Sequence, residues 1–137
     1  GSDSAQVTIL FQEPQELSDW QTDNGLAGDA TTTDTDGDDL SDFLEFMTGS
    51  DPNTKSPHPI TLTQDEDGHI TVSYPHNLAA GNNKLSLQNS LNLKNWYNLI
   101  DFKFEGSVAP ADSDIAEVRY RSYSPIREAR YFRLHAN

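Results

Sequence analysis

Two hydrophobic periods divide the chain. In the first third, apolar residues are sparse and recur at helical spacing where they cluster. Leu40, Phe43, Leu44 and Met47 stand at i, i+3, i+4 and i+7, the stripe of an amphipathic helix. Gly49 supplies a stop and Pro52 lies just past it, so the pattern predicts a helix over residues 41–48. Upstream, Leu17 and Trp20 at i, i+3 and a closing Gly25 predict a first short helix within residues 14–23, with Trp20 as the anchor between the two.

From Ile60 onward the period drops to two. Ile60 and Leu62 alternate with polar residues, as do Ile70, Val72 and Tyr74 after Asp67-Gly68, a hairpin turn signal. Leu85 and Leu87 alternate after Gly81-Asn82-Asn83. Residues 96–100 read as a further strand, Val118 and Tyr120 alternate, and Phe132 and Leu134 close the chain. Short strands separated by polar turns predict a mainly β fold, a small antiparallel β-sandwich preceded by a short helical unit. Residues 106–114 read as the most mobile loop. Residues 7–11 read as a strand or as the end of a preceding domain.

Composition narrows the class. The 137 residues suffice for one ordinary domain or two small ones. A mean hydropathy of -0.69 marks a polar chain, but 6 Phe, 5 Tyr and 2 Trp are too many for full disorder. No apolar run approaches the ~20 residues of a membrane helix. The absence of Cys excludes disulfide scaffolds, thiolate metal sites and cysteine nucleophiles. The net charge of -13 opposes a basic phosphate-contacting surface, so neither nucleic acid nor membrane is an expected partner.

The charge is unevenly placed. Residues 1–54 hold 13 Asp and Glu and no Lys or Arg, whereas residues 55–137 hold 9 acidic and 9 basic residues. Three units are therefore expected: an acidic helix–loop–helix unit (1–54), a Pro-rich connector (55–59) and a sandwich (60–137). Carboxylates so dense repel one another, and either disorder or a bound cation would relieve them.

Their spacing favours a cation. From Asp34, acids stand at relative positions 1, 3, 5, 9 and 12: Asp34, Asp36, Asp38, Asp42 and Glu45. That is the ligand spacing of an EF-hand-type loop, with the Leu40 backbone carbonyl at position 7 and Glu45 reaching back from the helix. Calcium is the expected ion. Asp42 binds directly, through water, or not at all. Asp39 stands at position 6, where such loops carry Gly, so a weak extracellular-range affinity of about 10⁻⁴–10⁻³ M is expected. A single-ion site and a two-ion site helped by Asp29, Asp39 or Asp51 both remain open, as does a solvated acidic linker.

The run from Asp34 to Phe46, followed by Thr48, Gly49, Ser50, Asp51 and Pro52, resembles a bacterial thrombospondin type 3-like repeat, whose pattern runs DxDGDGLxDxxE and then GTDP. It departs at Asp39 and Ser50. The stretch Leu85–Ser90, Leu93 to Trp96 and Arg130 to Leu134 resemble a fibronectin type III-like module, with Trp96 in its core. Together these resemblances imply a C-terminal, non-catalytic part of a secreted or cell-surface multidomain bacterial protein that degrades polysaccharide. Gly1-Ser2 looks like a cloning remnant.

No nucleophile elbow, phosphate loop or HExxH motif is present, and His58, His69, His76 and His135 are scattered singly. No enzymatic activity is expected. The expected function is a calcium-stabilised accessory or spacer module, monomeric and attached to an upstream domain of the same polypeptide. The alternatives are a carbohydrate-binding module that holds its parent on a polysaccharide, and a protein-interaction or surface-anchoring module. A sugar site would use Tyr97, which alternation turns away from Trp96, together with Tyr123, His76 and Arg127 from nearby turns.

Overall fold

The computed structural model describes residues 16–55, 58–80 and 84–136. Among the described residues two short helices come first, α1 (Leu17–Asp23) and α2 (Asp42–Thr48). Seven strands follow: β1 (Thr61–Gln64), β2 (Ile70–Asn77), β3 (Leu85–Ser90), β4 (Tyr97–Asn98), β5 (Phe102–Val108), β6 (Ile115–Ser122) and β7 (Tyr131–Ala136). All pairings are antiparallel and build two sheets, ordered β1-β2-β6-β5 and β4-β3-β7. The chain is mainly β, as its period-two pattern predicts.

Alternation explains the core. Val72 and Tyr74 of β2, Leu87 of β3, Phe102 of β5, Val118 of β6 and Leu134 of β7 pack with Ile126. Each contributes roughly 1.5–3 kcal/mol of apolar burial. Phe102 meets Phe132 edge-on, with ring centroids 5.7 Å apart.

β5 was not legible as a strand. Phe102 and Phe104 alternate, but the register slips between Phe104 and Gly106, and Gly106 takes φ 141°. Past that bulge Val108 faces solvent, so only two apolar residues mark the strand. The segment expected to be the most mobile loop therefore begins inside β5. The strand expected over residues 96–100 shrinks to the two residues of β4. Trp96 is half-buried rather than a core residue, with the Arg133 guanidinium 4.4 Å over its ring. Residues 7–11, the turn at 81–83 and connector residues 56–57 lie outside the described residues.

A second core holds the helices. Trp20 of α1 meets Phe46 of α2 at 5.2 Å, and Phe43, Met47, Ala30 and Ala80 complete the cluster. Leu44, on the same helix, packs against the sandwich core instead. Leu85 and Ala136, at paired ends of β3 and β7, also touch the helix core.

Two polar and steric details hold α2 on the sheets. The buried Asn77 amide of β2 donates to the Phe46 carbonyl at 2.9 Å. Gly49 ends α2 in the left-handed region at φ 78°, and a Cβ there would run into the Ile115 side chain of β6. Glycine satisfies both the turn and the close approach.

Candidate metal centre

The acidic loop is organised by its own carboxylates. Asp34 accepts the backbone N–H groups of Gly37 (2.9 Å), Asp38 (3.2 Å) and Asp39 (2.9 Å). Asp36 Oδ1 accepts from Asp38 at 3.2 Å, and Asp38 Oδ1 accepts from Leu40 at 3.0 Å. These short-range bonds curl the chain, which passes through the left-handed region at Gly37 and Asp39, both at φ 70°. Asp39 thus adopts the conformation that a glycine would take more easily.

The start of α2 is fastened from several sides. The Ser41 hydroxyl caps Leu44 N–H at 3.2 Å. Asp42 and Phe43 donate to the carbonyls of Thr33 (2.7 Å) and Ala30 (2.9 Å). The fully buried Asp42 carboxylate accepts the Thr35 N–H at 3.0 Å and the Thr35 hydroxyl at 2.7 Å. Asp42 pins the loop to the helix, and both its oxygens are engaged.

This folding gathers Asp34, Asp36 and Asp38, which can each offer an oxygen within 4.8 Å of the others. Glu45 of α2 faces Asp36 and Asp38 and is completely buried. Both its carboxylate oxygens, and Oδ2 of Asp36, lack a hydrogen-bond partner among the described residues. Burial, with Asp38 and Asp36 beside it, pushes the Glu45 carboxyl up to about 9. Burial also raises Asp36. Desolvated carboxylates without donors are costly, and no Lys or Arg stands in residues 1–54 to compensate them. The donors are all oxygen, the set suited to a hard cation. Residues 34, 36, 38 and 45 could therefore hold a metal ion.

Two further acids of this unit serve turns. Asp29 accepts Thr31 N–H at 3.0 Å and its hydroxyl at 2.7 Å, which hold its carboxyl below the usual range. Asp51 accepts from Asn53 at 2.9 Å and Thr54 at 3.1 Å. Leu40 has a buried side chain.

The structure brings together a second group that the motif reading passed over: Asp65, Asp67 and His69, at the turn between β1 and β2. Here the key carboxylate already has a cationic partner. Asp65 Oδ1 accepts from the backbone of Asp67 (3.0 Å) and His69 (2.9 Å), and its Oδ2 takes the Arg121 guanidinium. Arg121 chiefly lowers the Asp65 carboxyl. The Asp-x-Asp-x-His spacing is visible in the chain, but only the fold reveals the partner on β6.

The four residues expected at a sugar site are dispersed. His76 is half-buried on β2 opposite Ala116, and burial lowers its imidazole. Tyr123 follows the far end of β6, beyond the Thr71–Arg121 pair. Arg127 is exposed on the connection to β7, and Tyr97 stands exposed on β4 of the other sheet. No helix among the described residues is long and apolar enough to cross a membrane. No protein-family model, curated protein or solved structure matches the chain.

Proposed function

We propose that the acidic unit is an EF-hand-like calcium site of the thrombospondin type 3-like kind, and that the protein is a non-catalytic, calcium-stabilised spacer module. Its setting would be a secreted multidomain bacterial protein, a carbohydrate-active enzyme by the resemblance. One observation carries the reading: Glu45, fully buried, presents two unpartnered carboxylate oxygens beside Asp36 and Asp38. Calcium takes six to eight oxygen ligands and tolerates irregular geometry, whereas magnesium demands a near-ideal octahedron and zinc prefers nitrogen and sulfur.

Asp34, Asp36, Asp38, Glu45 and the Leu40 carbonyl would hold the ion. The ion would supply positive charge and fix the loop to α2. α2 in turn sits on the sandwich through Asn77 and the Gly49–Ile115 contact. Binding would thereby stiffen the angle at which an upstream domain leaves the sandwich. Calcium at about 1 mM, an extracellular level, would fill such a site from about half, at a Kd of about 10⁻³ M, to about nine-tenths, at about 10⁻⁴ M.

The test is thermal unfolding in saturating calcium and in chelator. At a calcium concentration 100 times Kd the stabilisation is about 2.7 kcal/mol, on the order of 10 °C in Tm for a chain of this size. The Asp36→Ala/Glu45→Ala protein is expected to melt at one temperature in both buffers. A parent protein indifferent to calcium would sink the assignment.

A further inference from the structure

A cleft of about 350 Å³ opens at the end of the β4-β3-β7 sheet that lies away from the helices. There Ser90 of β3 pairs with Tyr131 of β7, while the opposite end of that pairing, Leu85 with Ala136, touches the helix core. The cleft is therefore separate from the acidic loop.

Its lining is neutral and amide-rich. Asn89, Asn92, Asn95 and Asn98 border it beside Tyr97, whose side of the sheet is open: Tyr97 is 64% exposed. The charged residues that line it, Asp101 and Arg130, neutralise each other. Arg130 Nη1 donates to both Asp101 oxygens at 3.2 and 3.0 Å and to Asn89 Oδ1 at 3.1 Å. Its Nη2 donates to Glu128 at 3.0 Å. Among the lining residues the two charges cancel, and Glu128, outside the lining, shares the same guanidinium.

The walls are rigid. Ser90 Oγ accepts the N–H groups of Asn92 and Leu93 at 3.1 and 2.9 Å. Asn92 Oδ1 accepts those of Lys94 and Asn95, each at 2.9 Å. These bonds hold Leu93 at φ 64°, a strained conformation for an apolar residue. By contrast, the side-chain amide of Asn95 finds no partner among the described residues, whereas Asn98, next to Tyr97 on β4 and opposite Gln88, turns its side chain to the other face of the sheet. An ordered loop thus presents an aromatic ring with an uncommitted amide two residues before it.

An amide side chain offers both a donor and an acceptor, as does a hydroxyl group. An aromatic face covers the C–H surface of a pyranose ring. Neutral walls disfavour acidic and basic ligands alike. We propose that this cleft binds a neutral carbohydrate, with Tyr97 as the stacking platform and Asn95 as a hydrogen-bond partner of its hydroxyls. The inference does not rest on the calcium reading.

The test is electrophoresis of the full chain through gels containing xylan, galactomannan, mixed-linkage β-glucan or gelatin, in millimolar calcium, with folding checked by near-ultraviolet circular dichroism. One neutral glycan is expected to retard the parent. Tyr97→Ala is expected to weaken that binding at least tenfold and Asn95→Ala to weaken it independently, whereas Asn98→Ala, on the other face of the sheet, should bind as the parent does. Phe104→Ala, an exposed aromatic on β5 of the other sheet, should bind as the parent does. Migration unchanged by every glycan overturns the proposal, as does equal retardation of the parent and Tyr97→Ala. Retardation by gelatin alone, lost in Tyr97→Ala, reassigns the cleft to peptide and also overturns it. The Asp36→Ala/Glu45→Ala protein, run below its melting temperature, is expected to keep its glycan binding. That result separates the fate of this cleft from that of the calcium site.

Discussion

Glu45 illustrates how one side chain can be a liability until its ligand arrives. Its carboxyl is raised from 4.5 to about 9, first by burial and then by Asp38 and Asp36. An acid raised in the folded state contributes stability fully present below pH 4.5 and lost as pH rises through about 9. His76, lowered by burial, has the opposite slope below the ordinary imidazole value of 6.5, so the carboxyl must be isolated by difference. In chelator, the Tm of Glu45→Gln minus that of the parent is expected to grow between pH 5 and pH 9. In saturating calcium the parent should overtake the variant. Asp39 is a second case. At φ 70° it bears a strain of about 1 kcal/mol that glycine lacks, partly offset by the greater freedom of glycine in the unfolded chain. Because the strain lies in the folded loop itself, Asp39→Gly is expected to raise the urea unfolding midpoint in chelator by an amount equivalent to at most about 1 kcal/mol. An unchanged or lowered midpoint would show that the unfolded-state freedom of glycine outweighs the strain.

At the scale of elements, α2 was the most legible. Its stripe, the Ser41 cap and the Gly49 stop place it over residues 41–48, and the helix runs Asp42–Thr48. Phe46 was missed because the i, i+3, i+4, i+7 stripe describes a single buried face. This helix is enclosed by α1 on one side and the sheets on the other, so Phe46 and Met47 are both completely buried. Gly49 does more than end the helix. Gly49→Ala combines a left-handed penalty with a clash against Ile115, and is expected to cost roughly 2–4 kcal/mol. Ser41→Ala, which removes only a cap, should cost about 1 kcal/mol. Urea unfolding midpoints distinguish the two. β5 shows the reverse situation: a bulge and a positive-φ glycine cut short the alternation by which a strand is recognised.

Across the whole molecule, two cores meet at α2. Asn77 crosses between them, and its amide is the buried donor to the Phe46 carbonyl. Asn77→Ala leaves that carbonyl without its partner and is expected to cost about 1–3 kcal/mol. Hydrogen exchange should show the loss concentrated in α2 and the loop before it. Uniform destabilisation of the sheets would instead mean that Asn77 acts through β2 alone.

The local features of this protein lie in the chain itself. Period two specifies strands, period 3.6 specifies α2, and acids at alternate positions curl a loop whose Asx bonds span only two to five residues. Such interactions depend on neighbours in sequence and can be read from it. Tertiary structure alone decided which acids are available. It tied Asp42 to Thr35, gave Asp65 to Arg121 from 56 residues away, and left Glu45 buried without a donor. It also set Tyr97 beside an amide-lined cleft while sending His76 and Tyr123 to opposite ends of the other sheet. Pairings across the sheets and between the cores arise from strand order and packing, which no local pattern encodes.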